Sequence, residues 1–239
     1  MLKNLFVASC ILLSMSCETL SSLPSIGYPG STGTGPVSET EAGQGVREAL
    51  SQGISAAIFN LNKENAFFGN DFYKVLLPAD AQKIENTLRK VGLGKEVDKA
   101  ILQINRAAED AVGYAKPVFV DAIKEMTITD ALNIIRGEKN SVTNYFRIKT
   151  REKLLTAFSP SVKQSLDKVG ATKYYGDIVT LYNNIPTTFK KINPDLPSYV
   201  VGKTTDALFD QIEKEEKNIR ENPVARTTAI LKRVFGSGL

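Results

Sequence analysis

From Val46 to Val234 the apolar residues recur at intervals of three and four, the period of a helix that buries one face. The interval of two that a half-buried strand needs occurs only in short runs, and no Asn-Gly or Asp-Gly turn joins β-branched segments. This pattern removes sheet-based folds. Val46, Leu50, Ile54, Ala57, Ile58 and Leu61 form one stripe, and Val97, Ala100, Ile101, Ile104, Ala108 and Ala111 form the clearest one.

Turn and cap residues divide the pattern. Pro78 opens a helix that carries Ile84, Leu88 and Val91 and stops at Gly92. Gly113 and Pro117 interrupt the stripe that began at Val97, so that helix kinks or restarts at Pro117, ahead of Val118, Ala122 and Ile123. Thr127-Ile128-Thr129-Asp130 has the spacing of a capping box before Ala131, Leu132 and Ile135, and Gly137 ends that helix. Ser141 starts another through Tyr145, Ile148 and Leu155; Ser159-Pro160 reads as the cap and first-turn proline of a new segment ending at Gly170. Thr172 to Tyr182 is short, and Asp195-Leu196-Pro197 opens a long helix with Val201, Leu208, Ile212 and Ile219. Asn222-Pro223 caps the last, with Val224, Leu231 and Val234, basic Lys232 and Arg233 near its end, and Gly236 after it. The expected fold class is therefore all-α, a multi-helix bundle of about nine helices with no sheet, over residues 45–239. No equal-length repeat suggests a solenoid.

The N-terminus reads as an address. Lys3 is a positive n-region, and Leu5 to Met15 is an apolar run shorter than the ~20 residues that cross a bilayer. Leu13-Ser14-Met15-Ser16-Cys17 resembles a lipobox, with Ser14 where Leu is commonest; Cys10 would leave too short an apolar run. The reading is a lipoprotein signal peptide over 1–16, a lipid-anchored Cys17, and a Ser/Gly/Pro-rich flexible linker to residue 44 with a reach of roughly 30 Å. The membrane partner follows from the lipid. The single acidic residue after Cys17 resembles the sorting pattern of outer-membrane lipoproteins that face the periplasm.

Composition excludes much chemistry. There is no histidine, and the only cysteines are Cys10 and Cys17, so the folded part can hold no Ser-His-Asp or Cys-His site and no thiolate or imidazole metal site. No metal and no cofactor are expected. The net charge of +4 is spread along the chain without a basic stripe, so nucleic acid is not an expected partner.

Several segments together resemble one bacterial family. They are Asn105-Arg106-Ala107-Ala108-Glu109, Ala115-Lys116-Pro117-Val118-Phe119 with Asp121-Ala122-Ile123, and Met126-Thr127-Ile128. The most specific is the C-terminal run: Ala207-Leu208-Phe209, Glu215-Glu216, Ile219-Arg220-Glu221-Asn222-Pro223-Val224-Ala225-Arg226-Thr227-Thr228, closing at Val234-Phe235-Gly236. They are similar to the envelope proteins grouped as domain of unknown function 4197. The resemblance implies a cell-envelope location and supplies no substrate and no catalytic residue.

Two groups of residues stand out as candidate sites. Asn105, Arg106, Glu109 and Asp110 are spaced to share one face of a helix that is apolar on two sides. They could form a structural ion pair, whose joint replacement by apolar residues would be tolerated, or a polar pocket. Phe67 and Phe68 lie in a polar loop over residues 62–71, and either tuck beneath helices or form a patch for a partner or a membrane. Asn222-Pro223 with Arg226-Thr227-Thr228 reads as capping, and Glu213 to Glu221 as a solvated charged face. The catalytic residues, if any, are unassigned. The reading favoured is a non-catalytic module that binds an envelope protein or an apolar or amphipathic ligand. The alternatives are a hydrolase using Asp or Glu, and a purely structural envelope protein.

Overall fold

The computed structural model describes residues 37–236 apart from 91, 93, 169, 185–190, 192 and 194. Cys10, Cys17 and the linker up to residue 36 lie outside the described residues, as do Val91 and the side chain of Leu88.

The described residues contain nine α-helices and two single 3-10 turns, and no strand. In order they are α1 (Glu39–Leu61), α2 (Gln82–Lys90), α3 (Gly94–Val112), α4 (Ala115–Glu125), α5 (Ile128–Arg136), α6 (Ser141–Lys168), α7 (Ala171–Asn183), α8 (Leu196–Glu221) and α9 (Ala229–Gly236). The chain is therefore all-α, as the apolar period requires. α6 and α8 pack on each other; α1 and α3 pack against this pair, with α4 on α6, α5 and α9 on α1, α2 on α3 and α7 on α6. The apolar stripes meet in one core. Its centre holds Phe119, which meets Phe146 edge-on at 5.4 Å and Phe209 at 6.4 Å. Such edge-to-face pairs add about 0.5–1.5 kcal/mol each beyond the area they bury.

The helix ends correct four expectations. First, α1 begins at Glu39, inside the stretch read as linker to residue 44. Ser38 and Glu41 form a reciprocal capping box, with the Ser38 hydroxyl accepting from the Glu41 amide at 3.2 Å. The buried residues of this turn are Ala42, Gly43 and Gly45, too small to register as an apolar stripe. Second, α3 ends at Val112 and α4 restarts at Ala115, two residues before Pro117, which thus sits in a first turn where no amide is needed.

Third, no new helix starts at Ser159-Pro160: α6 runs through it. Pro160 is exposed, while Leu154, Phe158, Val162 and Leu166 on the other side are fully buried. Burying four such side chains at about 1.5–3 kcal/mol each outweighs the ~3 kcal/mol that an internal proline costs. Fourth, Asn222 does not cap the last helix. Its side chain accepts from the Val224 amide at 3.1 Å and opens the turn Pro223–Ala225, leaving Val224 exposed, and α9 starts after Thr228. The caps at Thr127 and Asp195 lie where their sequences place them.

Among the described residues, no helix is long and apolar enough to cross a membrane.

Candidate functional site

The longest irregular stretch among the described residues runs from 62 to 78, between α1 and the 3-10 turn Ala79–Ala81. Loops of this length inside a compact domain need a reason to hold one shape. Here the reason lies on α3. Asn105, fully buried, donates through Nδ2 to the Val75 carbonyl at 2.9 Å and the Ile101 carbonyl at 2.7 Å, and its Oδ1 accepts from the Val75 amide at 2.8 Å. The side-chain amide thus stands in for a neighbouring strand. One turn on, buried Glu109 accepts through Oε1 from the Phe67 amide at 3.0 Å and the Phe68 amide at 3.3 Å. Its Oε2 pairs with Arg106 at 2.6 Å. The other arm of Arg106 reaches Glu64 at 3.0 Å and the Asn65 side-chain oxygen at 2.9 Å. Asn62 closes the base by donating to the Glu109 carbonyl at 2.7 Å.

The two candidate groups therefore form one site: Asn105, Arg106 and Glu109 hold the loop that carries Phe67 and Phe68. Asp110 belongs elsewhere, since it accepts from Ser161 at 3.1 Å and Ser165 at 3.4 Å on α6. Gly69 completes the turn: a Cβ there would lie 2.8 Å from the Asn65 carbonyl oxygen.

From the other side α8 holds the loop through Tyr73. The Tyr73 hydroxyl donates to Asp210 Oδ2 at 2.6 Å, with Gln211 Oε1 2.9 Å away, and itself accepts from Lys214 at 2.8 Å. Burial, together with the bond to Asp210, raises the Tyr73 phenol above its ordinary 10.0. Burial alone would pull Lys214 down, but the bonds to Asp210 and Tyr73 together hold it above its ordinary value.

The aromatics divide by exposure. Phe67 is fully buried against Tyr73, and Phe68 is half-buried beneath Lys74, whose Nζ lies 4.4 Å from the ring. The residue the loop displays is Phe72, 73% exposed, edge-on to Tyr73 at 5.3 Å and 4.7 Å from Lys214 Nζ. Leu76 is 48% exposed, and Phe59 in the last turn of α1 is 67% exposed with Lys63 Nζ 3.9 Å over its ring. Sequence reasoning passed over Phe72 because Phe-Tyr-Lys has no period of its own. The adjacent Asn70 turn was its only local signal: Asn70 Oδ1 accepts from the Phe72 amide at 3.0 Å.

A second buried carboxylate repeats the design. Glu216, expected on a solvated face, is 5% exposed. It accepts from the Val142 and Thr143 amides at 3.1 and 3.0 Å, and from the Thr143 hydroxyl at 2.8 Å. These are first-turn amides of α6, which have no helical acceptor of their own. Arg220 pairs with Glu216 at 3.0 Å and donates to the Ile134 carbonyl and the Ser141 hydroxyl, tying α5, α6 and α8 together. Beside this pair, Leu50, Ile54, Ile212 and Phe235 line an apolar cavity of about 20 Å³, room for a single water. Within the described residues no group of three His, Cys, Asp or Glu is placed to hold a metal ion.

Comparison with curated proteins and with solved structures finds no match. Residues 36–236 match the profile described as protein of unknown function (DUF4197). That span covers the whole helical unit, including the stapled loop and both buried carboxylates, and the chain belongs to the DUF4197 family.

Proposed function

We propose that this is a lipid-anchored protein of the cell envelope, held through Cys17 at the periplasmic face of the outer membrane, whose helical domain is a non-catalytic docking module. The 62–78 loop is its contact surface for an envelope protein or an amphipathic ligand. One observation carries the reading: buried polar side chains of α3, with partly exposed ones of α8, fix a long loop that leaves Phe72 73% exposed. Fixing a loop in advance lowers the ordering cost of binding, and a rigid exposed aromatic is the commonest kind of anchor at an interface. Each oxygen of Glu109 and Glu216 accepts a hydrogen bond from the protein itself, which suits anchoring better than acid–base chemistry.

A photoreactive phenylalanine analogue at position 72, activated in living cells, tests the surface. Discrete adducts are expected, with none when the analogue replaces Ile148, a still more exposed residue of α6. Identical patterns at both positions would remove the loop's special role. Anchoring is tested separately: Cys17→Ser is expected to release the protein into the soluble periplasmic fraction or leave it unprocessed. A processed variant that stays on the membrane would exclude the lipid anchor.

A further inference from the structure

We propose that the exposed apolar residues of this loop, Phe72 and Leu76, together with Phe59 in the last turn of α1 that leads into it, dock on the headgroup region of a phospholipid bilayer. The proposal rests on the reading of the 62–78 loop as the contact surface and names what it touches.

The first argument is the state of the backbone. A loop entering a poorly hydrated interface must bring its amides already bonded, because each bare polar group costs several kcal/mol. Here the amides of Phe67 and Phe68 are held by Glu109 and that of Phe72 by Asn70 Oδ1. Those of Tyr73 and Lys74 are held by the Asn70 carbonyl and that of Val75 by Asn105. The amides of 72–75 can therefore leave water without losing a hydrogen bond. A loop meant to add a strand to a protein partner would keep these groups open.

The second argument is the pairing of rings with ammonium groups. Lys63 lies over Phe59 and Lys74 over Phe68. Aromatic bodies beside long basic side chains suit the boundary where acyl chains meet phosphates, because the ring stays with the lipid and the ammonium reaches the headgroup. The nearby acids do not oppose this. Glu64 and Glu109 share Arg106, Asp210 pairs with Lys214, and Glu215 accepts from Asn60 beside Phe59, so with Asp71 five acids stand against Arg106, Lys214, Lys63 and Lys74. The surface is close to neutral, so attraction comes chiefly from apolar contact, with a weak dependence on salt.

The third argument is reach. The 20 residues 18–37 extend to at most about 70 Å, while the 23 residues of α1 measure about 35 Å. A lipidated Cys17 thus allows the far end of α1, where the loop sits, to meet the same bilayer.

The chain has no tryptophan, so Phe72→Trp adds a single fluorescent reporter. The mature chain with Cys17→Ser and Phe72→Trp is mixed with vesicles of phosphatidylethanolamine and phosphatidylglycerol. The expected result is a blue shift and quenching by brominated acyl chains, with neither in a chain carrying Ile148→Trp instead. Phe72→Ser with Leu76→Ser should weaken vesicle sedimentation about tenfold or more, while circular dichroism is unchanged, as these side chains are outside the core. No blue shift in the Phe72→Trp chain would overturn the proposal. If the photoreactive analogue at position 72 then captures a protein, the docking surface stands and its partner is that protein. If the analogue captures nothing, the docking reading falls as well.

Discussion

Glu109 shows what a single buried charge does when its partners are backbone. Removing it leaves Arg106 with only the exposed Glu64 as a carboxylate partner and the amides of Phe67 and Phe68 without acceptors. Glu109→Ala is expected to cost roughly 3–5 kcal/mol in urea melts. Arg106→Ala should cost less, because Arg106 is partly solvated and Glu109 keeps two amide donors. The sequence suggests that replacing both by Met and Leu would be tolerated; the structure reverses this. An apolar pair still strands the buried Phe67 amide, at about 1–3 kcal/mol, and the partly buried Phe68 amide, so the double variant should stay below wild type. A double variant as stable as wild type would show that the loop does not depend on Glu109. The spacing of Asn105, Arg106 and Glu109 was legible because it is a property of one helix. Their acceptors and donors lie some 30–42 residues away on irregular backbone, and backbone amides leave no mark in a side-chain pattern.

At the scale of elements, the same argument concerns α6 and α9. Pro160 is tolerated because the buried side of α6 is long, and nothing among the described contacts requires a proline there. Pro160→Ala is expected to raise stability by about 1–3 kcal/mol, read as a higher midpoint by circular dichroism. A lower midpoint would mean that α6 needs a local bend to pack on α3 and α8. α9 depends on a gap instead. A Cβ on Gly45 would lie 2.5 Å from Val234 Cγ2, so α1 and α9 touch where Gly45 has no side chain. Leu231 of α9 packs with Ala49 and Ile219 in a small cluster apart from the main core. Gly45→Ala should therefore speed hydrogen exchange in α9 while the rest stays protected, and Val234→Ala should restore it. Unchanged exchange in α9 would show that the two helices separate at little cost. Helix types and most caps were readable from period and cap residues. The start of α1 and the passage of α6 through Pro160 were not, because a glycine-rich turn mutes an apolar stripe and burial outweighs a local breaker.

For the molecule as a whole, the missing histidine shapes the response to pH. The carboxyls that shift most clearly do so downward. Glu41 is lowered by the Ser38 amide and Asp130 by the Thr127 hydroxyl, both in capping boxes, and Asp98 by its bond to Arg89. A carboxyl with a depressed folded pKa supports folding above its unfolded value and loses that support as pH falls through the folded value. The ordinary values are 4.5 for Glu41 and 3.8 for the two aspartates, so loss begins below about pH 5. The phenols of Tyr73, Tyr145 and Tyr199 are raised, chiefly by burial. Each keeps its proton in the fold after the unfolded chain has given it up, so folding weakens as pH rises past about 10. No side chain with an ordinary pKa near 6.5 exists between these flanks. Urea midpoints should therefore be flat from about pH 5.5 to 9 and fall on both sides. All the lowered carboxyls lie at exposed caps and surface pairs, so the acid flank should be shallow and should move with added salt. A step in the urea midpoints near neutral pH would overturn this account.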